Sequence, residues 1–412
     1  MWSAALVSNI GSWMQAVALG ILVTARTHNP LWTGLVAAAA FLPNGLLAPF
    51  GGALADRLDR RRWLLLTTTA ETVIAALLAV LAATGRDQPV VVVIVAFLGG
   101  SAAAVGFPAY QAMLPDLVER RDDLLAAVSL SSAQFNLGRV VGPALAGVAL
   151  AFGSYSLAFA ANAVSFGAVI VALLLIRLPA PAVVSEPLRI FRRIAEGARL
   201  AASEPGCRSA IVLIGLVALL ASPFIALVPA MAIDALHLGP HHRGTVGTTI
   251  LVTAQGVGAV VGALTIPGLA RRIGRGRQVV TALFALPVLL ALYAAAPSLW
   301  WAALALFFVG AGYIAVLSGL NTVVQLRAPE WARGRVLSLF MLSLGTIYPL
   351  GAIAQGAIGS HIGVKAVTAG SGVVLLAVLG LTALFSPGVF RALADVGVPS
   401  EGVTGPHPTG RR

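Results

Sequence analysis

Two charged side chains stand where charge is expensive. Glu71 and Arg139 each lie inside an apolar stretch of about membrane length. A charge near the bilayer centre costs at least ~2.5 to 3.5 kcal/mol, so such groups are paired, hydrated or functional. Glu71 falls about two turns into its stretch, roughly 12 Å at 1.5 Å per residue, and Arg139 falls midway along its own. Each could be the other's counter-ion, each could face water, or Arg139 could meet an anionic solute. A carboxyl at Glu71 could take up and release a proton as its surroundings change, which makes it the candidate for proton coupling. The plainer reading is that Glu71 snorkels or bonds to a neighbouring helix. Uncharged polar groups also collect in the apolar runs: Asn9 and Gln15, Asn44, Gln134 and Asn136, Gln255, Asn321 and Gln325. Some of these serve as interhelical glue.

Hydrolytic and redox chemistry find no foothold. No Ser/His/Asp set, convergent carboxylate pair or phosphate-binding glycine loop is present, so no catalytic residue is assigned and an enzyme is not expected. Cys207 is the single cysteine and cannot form an intramolecular disulfide. His237, His241 and His242 cluster, but Gly239-Pro240 breaks any helix through them, so no metal site is expected. No cofactor is implied, and a proton gradient is the expected energy source.

The elements that position these residues follow from composition. Of 412 residues, 58% are hydrophobic and 10% charged, and the mean hydropathy is strongly positive. Such a chain cannot cover its exterior with polar groups, so most of it faces lipid. The net charge of +12 does not indicate nucleic acid, because the arginines are scattered between apolar runs rather than gathered on one polar face. Spanning hydrocarbon takes roughly 20 apolar residues as helix, and stretches of that size recur twelve times between residues 4 and 386. The expected fold is therefore an all-α polytopic membrane protein of twelve transmembrane helices in two six-helix bundles. Residues 1–178 form the first bundle and 209–388 the second. Between them, 179–208 is a cytoplasmic linker in which Leu188, Phe191, Ile194 and Leu200 recur at near-helical spacing, as in an interfacial amphipathic helix, with a simple solvated tether as the alternative. Residues 389–412, polar and rich in Gly and Pro, are expected to be a disordered cytoplasmic tail.

Cationic loops stay on the cytoplasmic side. With the N-terminus inside, the outer loops hold only Arg26, Arg86, Arg243 and Lys365, and 22 of the 27 Lys and Arg fall inside. Both termini are thus expected in the cytoplasm of an inner-membrane, multi-pass protein. The halves also repeat. At an offset of 214, Gln111, Pro115 and Asp116 answer to Gln325, Pro329 and Glu330, and Gly142 answers to Gly356. At an offset of 215, Leu54–Leu58 meets Leu269–Ile273. Six helices per half place the copies in the same orientation, a parallel repeat about a central site.

The run from Gly52 through Asp56, Arg57, Asp59 and Arg60 to Arg62 resembles the signature loop of the major facilitator superfamily, with Asp59 where that family usually has Gly. The resemblance implies the major facilitator fold and a gating loop. Gly52 would allow close helix approach, Asp56 would face a helix N-terminus, and Arg57 and Arg60 would pair with Asp116 or Glu330 when the cytoplasmic side closes. A purely topogenic basic loop would explain the arginines but neither Asp56 nor Gly52. In helix five, Gly138, Gly142, Pro143 and Gly147 resemble the Gly-Pro element of exporters in the superfamily. Small residues there permit tight packing and Pro143 removes a backbone hydrogen bond. The helix-one set Val7, Ser8, Asn9, Gly11, Trp13 and Gln15, with Ile194–Arg199 and Pro205, resembles the branch of macrolide and siderophore exporters. In this family helices one, four, seven and ten line the cavity, which points to Gln15 and Asn321 as substrate contacts. The function so implied is proton-coupled efflux of small amphipathic compounds by a monomer embedded in the lipid bilayer. Solute uptake is the alternative within transport, and a non-transporting scaffold or sensor the alternative outside it.

Overall fold

The computed structural model describes residues 1–55, 57–118, 123–152, 154–176, 190–239 and 242–394. Asp56 and residues 177–189, which include the first part of the 179–208 linker and its Leu188, lie outside them. In chain order the helices are α1 (Trp2–Thr27), α2 (Pro30–Ala55), α3 (Arg60–Ala83), α4 (Pro89–Met113), α5 (Leu124–Ala151) and α6 (Tyr155–Leu175). After α7 (Ile190–Ser203), the span from Pro205 is broken into α8 (Pro205–Leu216), a π-helical turn (Val217–Ala221), α9 (Phe224–Ala230) and a second π turn (Met231–Ala235). The remainder are α10 (His242–Ile273), α11 (Arg275–Ala294), α12 (Leu299–Arg327), α13 (Arg333–Ile362), α14 (Val364–Phe385) and α15 (Gly388–Ala394).

Among the described residues eleven segments are long and apolar enough to cross a bilayer. The long helix not among them is α5, whose 28 residues carry Gln134, Asn136 and Arg139. The element that charge and polarity made most expensive in lipid is also one that packs between both halves. Residues 389–394, expected in the tail, instead belong to α15, whose Ala392 and Leu393 are buried. Residues 395–412 lie outside the described set.

Helix starts follow local chemistry. Pro30, Pro89 and Pro205 open α2, α4 and α8, where a missing N–H costs nothing. Asp59 accepts from the Arg62 amide at 2.8 Å and caps α3, which gives a local reason for an acid at a position where related loops carry glycine. Its counterpart at the 215-residue offset is Gly274, at φ 88°, between α10 and α11. The halves therefore turn the same corner by different means, one with a side-chain cap and one with backbone freedom. Arg61 donates to the Leu173 and Leu174 carbonyls at 2.6 and 2.8 Å, satisfying acceptors that the end of α6 leaves open.

Within the first half α1 packs on α5 and α6, α2 on α4, and α3 on α4 and α6; in the second, α12 packs on α10 and α11, and α14 on α11 and α13. Leu66, Val73 and Val80 form an exposed stripe along α3, two turns apart, as a lipid-facing surface requires. The linker helix α7 is not free: Glu196 pairs with Arg335 of α13 at 3.2 Å.

Two seams join the halves: α2 against α13, and α5 against α10. Since α2 matches α10 and α5 matches α13 in the repeat, these seams are pseudo-symmetry mates. Near the arginine-poor ends the halves are closed. A Cβ on Gly356 would lie 2.7 Å from the Pro30 carbonyl oxygen, and one on Gly20 would lie 3.0 Å from Pro229 Cγ. His28 Nδ1 and Asp234 Oδ1 meet across the halves at 2.8 Å. Toward the arginine-rich ends, residues 126–133 of α5 and 263–269 of α10 are mostly exposed. The molecule is closed on one face and open on the other.

Candidate functional site

The closed face gives way to the cleft near mid-membrane, where α1, α5, α12 and α13 bring their larger side chains together. Arg139 of α5 sets its guanidinium 5.9 Å from the centroid of the Trp13 ring of α1, a cation–π distance. Trp13 meets Phe135 edge-on at 5.7 Å. From the second half, the Tyr313 phenol on α12 lies within electrostatic reach of Arg139. Tyr313 hydrogen-bonds Ser222 at 2.9 Å and stacks edge-on with Phe224 at 5.8 Å. Tyr348 of α13 packs against Phe41 of α2 at 5.6 Å. The apex is thus an aromatic chamber holding one cation.

Ser222 is presented by a distorted helix. Pro223 has no N–H to offer, and the Ser222 amide bonds five residues back to Val217, so the carbonyls of Leu219 and Leu220 look elsewhere. Gln355 of α13 supplies them, its Nε2 donating at 3.1 and 2.9 Å. Buried π turns beside proline mark sites where a helix is adapted to function.

The predicted residues divide by location. Gln15 accepts from Asn162 of α6 at 2.9 Å, so its oxygen ties α1 to α6 within one half. Asn321 accepts from Gln325 at 2.6 Å, near the open end of α12. Glu71 lies between Thr67, which faces Gly106 of α4, and Ile74, which faces Gly99. It is half-buried and makes no hydrogen bond or ion pair with described residues. With α3 on the outside of the first half, Glu71 does not meet Arg139, and the mutual counter-ion arrangement is not formed.

Two acids of the gating set, Asp116 and Glu330, have their partners within their own halves. Arg60 pairs with Asp116 at 3.0 Å and donates to the Ala112 carbonyl, whereas Glu330 sits 4.0 Å from Arg333 and is highly exposed. Arg57 is engaged, Gly52 has Pro108 Cβ 3.9 Å from a notional Cβ, and Asp56 lies outside the described residues. In α5, Gly138 faces Asn9 and Gly142 faces the Trp13 Cβ, so this part of the element binds α1. Gly147 faces Thr249 of α10, across the seam. Pro143 lies within the helix without ending it. Trp13 was legible as part of a motif, but the chamber's Phe41, Ser222, Tyr313, Tyr348 and Gln355 were missed. The available signal was the presence of only five tyrosines in so apolar a chain.

Two helical halves closed at one face around a mid-membrane polar centre, with access from the other, define a transporter of the alternating-access class. The chain belongs to the transmembrane secretion effector family of the major facilitator superfamily, whose model matches residues 1–396. It is 28% identical over 393 residues to the multidrug efflux pump Tap of Mycolicibacterium fortuitum, covering 93% of this chain and 94% of that one. It is likewise 28% identical to the enterobactin exporter EntS of Salmonella typhi, covering 95% and 93%. Among solved structures, a bacterial homologue of the human lysosomal transporter Spinster, inward-facing and unoccupied, superposes with a TM-score of 0.68 at 14% identity over 95% of this chain and 96% of that one. The nucleoside transporter NupG gives 0.64 at 15% identity over 93% and 100%. The chain is a multi-pass membrane transporter of small molecules.

Proposed function

We propose that this transporter exports small amphipathic compounds, drugs or siderophore-like metabolites, across the cytoplasmic membrane as a monomer, driven by the proton gradient. The observation that carries the reading is the one-sided cleft: it opens where the arginines gather, and arginine-rich loops mark the cytoplasmic face. In this reading substrate enters that cleft from the cytoplasm, with both chain termini on the same side. Export by Tap and EntS supports the same direction.

Coupling needs a titratable group whose surroundings differ between states. Among ion pairs between described residues, only His28–Asp234 spans the halves, and it must part when the outer face opens. Glu71, unpaired among described residues and flanked by side chains that face α4, is the second group whose proton can matter.

The test uses proteoliposomes with an imposed pH gradient and a fluorescent amphipathic dye. Wild-type protein should move dye toward the compartment facing the arginine-poor loops, and collapsing the gradient should abolish this. Asp234→Asn should uncouple dye movement from proton movement, with Glu71→Gln as the comparison. Dye flow in the opposite direction would establish uptake instead.

A further inference from the structure

We propose that Arg139 is an anion-recognition residue, and that the preferred substrates carry an acidic group (carboxylate, sulfonate or acidic phenol) on an aromatic body. This rests on the transport reading and narrows its substrate class.

An arginine stays charged at any depth, and Arg139 lies 15 residues into α5, about 22 Å from the arginine-rich end at 1.5 Å per residue. A charge there needs compensation, and the protein supplies only part of it. Trp13 covers the guanidinium at 5.9 Å. The acids within the spans are occupied elsewhere or far away: Asp234 pairs with His28 near the closed face, and Glu71 lies on α3, which makes no substantial contact with α5. Arg139 makes no ion pair or hydrogen bond to a described residue, yet its nitrogens are not among the sealed polar atoms without partners. A guanidinium has five N–H donors in a planar fork, so this one presents an open fork at the edge of the cleft.

Packing does not account for it. At the repeat offset of 214, Arg139 corresponds to Ile353, so the equivalent position of the other seam is filled by an aliphatic side chain. What the cation adds is a fork matched to an oxyanion. Trp13, Phe135, Tyr313 and Tyr348 add ring faces and edges for an aromatic body. A cationic substrate would meet repulsion at the same point, so the arrangement discriminates by charge as well as attracting.

Matched xanthene dyes, anionic carboxyfluorescein and a cationic rhodamine ester, test this in proteoliposomes of zwitterionic lipid and by fluorescence polarisation with the detergent-solubilised full chain. Wild-type protein should bind and move the anionic dye in preference to the cationic one. Arg139→Ala should lower anionic binding and transport at least about tenfold, the loss expected for a charge-assisted hydrogen bond, and leave the cationic dye unchanged or improved. Arg139→Lys, which keeps the charge but loses the fork, should fall between. Melting of each solubilised variant reports whether it folds, and if Arg139→Ala does not, Arg139→Lys and Arg139→Gln carry the comparison. Equal binding of both dyes by wild type, or equal loss of both in the variants, overturns the inference. If wild type moves neither dye but binds the anion through Arg139, the transport reading fails and the recognition stands.

Discussion

The two seams between the halves are related by the repeat but are built differently. Along α2–α13 backbone meets backbone: a Cβ on Gly34 would strike the Ala352 carbonyl oxygen, and one on Gly45 would lie 2.8 Å from the carbonyl carbon of Gly345. Along α5–α10 backbone presses less closely on backbone, and the close contact is with a side chain. The nearest atom to a Cβ on Gly256 is the Arg139 carbonyl oxygen at 3.4 Å, and Gly147 meets the side chain of Thr249. The hydroxyls of Thr249 and Thr253 and the Gln255 amide nitrogen, all on α10, are buried without partners. One seam is a close-packed axle, and the other is a more polar surface that carries Arg139. A duplicated scaffold can thus build its two equivalent interfaces differently, one close-packed through backbone and the other more polar.

The contrast is breakable. Gly34→Val should have the largest effect, because backbone cannot rotate out of the way: overpacking of this kind costs about 3 kcal/mol, seen as a lower melting temperature of the purified protein and loss of dye transport. A variant that melts like wild type would mean the α2–α13 seam is not the tight one. Next comes Gln355→Leu, which orphans the Leu219 and Leu220 carbonyls at the π turn. Buried unsatisfied acceptors cost about 1 to 3 kcal/mol, so this variant should melt early. Smallest is Gly256→Ala in the looser seam, where an added methyl finds ordinary contact; a change under about 0.5 kcal/mol is expected. A melting loss as large as that of Gly34→Val would erase the distinction between the seams.

Legibility in the sequence followed the same division. The Gly-Pro element of helix five could be read as a packing device, and Gly138 and Gly142 do face α1. Which helix Gly147 would meet could not be read, because facing across a seam depends on how two halves are docked. Arg60 does pair with Asp116, but within its own half and with the arginine-rich face open, whereas the family resemblance implied such pairs when that face closes. That Glu330 would keep to its neighbour Arg333 depends on which face is closed, which no spacing encodes. Gln15 was a reasonable substrate contact from its place on helix one, but its partner Asn162 is 147 residues away. No motif in the sequence singled out Tyr313 or Tyr348; the docking of the halves brings Tyr313 within electrostatic reach of Arg139 and sets Tyr348 against Phe41 of α2.

The sequence by itself determined where the chain is helical, that it lives in lipid, that it is doubled, and which ends gather arginine. Hydrocarbon enforces those features locally, since a backbone without water must bond to itself and a charge near lipid must lie at an end or be matched. Tertiary structure alone decided which polar groups find each other and which, among the described residues, do not. A helix that is apolar nearly all round carries little record of its own rotation, so only close packing of small residues against neighbouring backbones sets the register that leaves Arg139 open and ties Gln15 down.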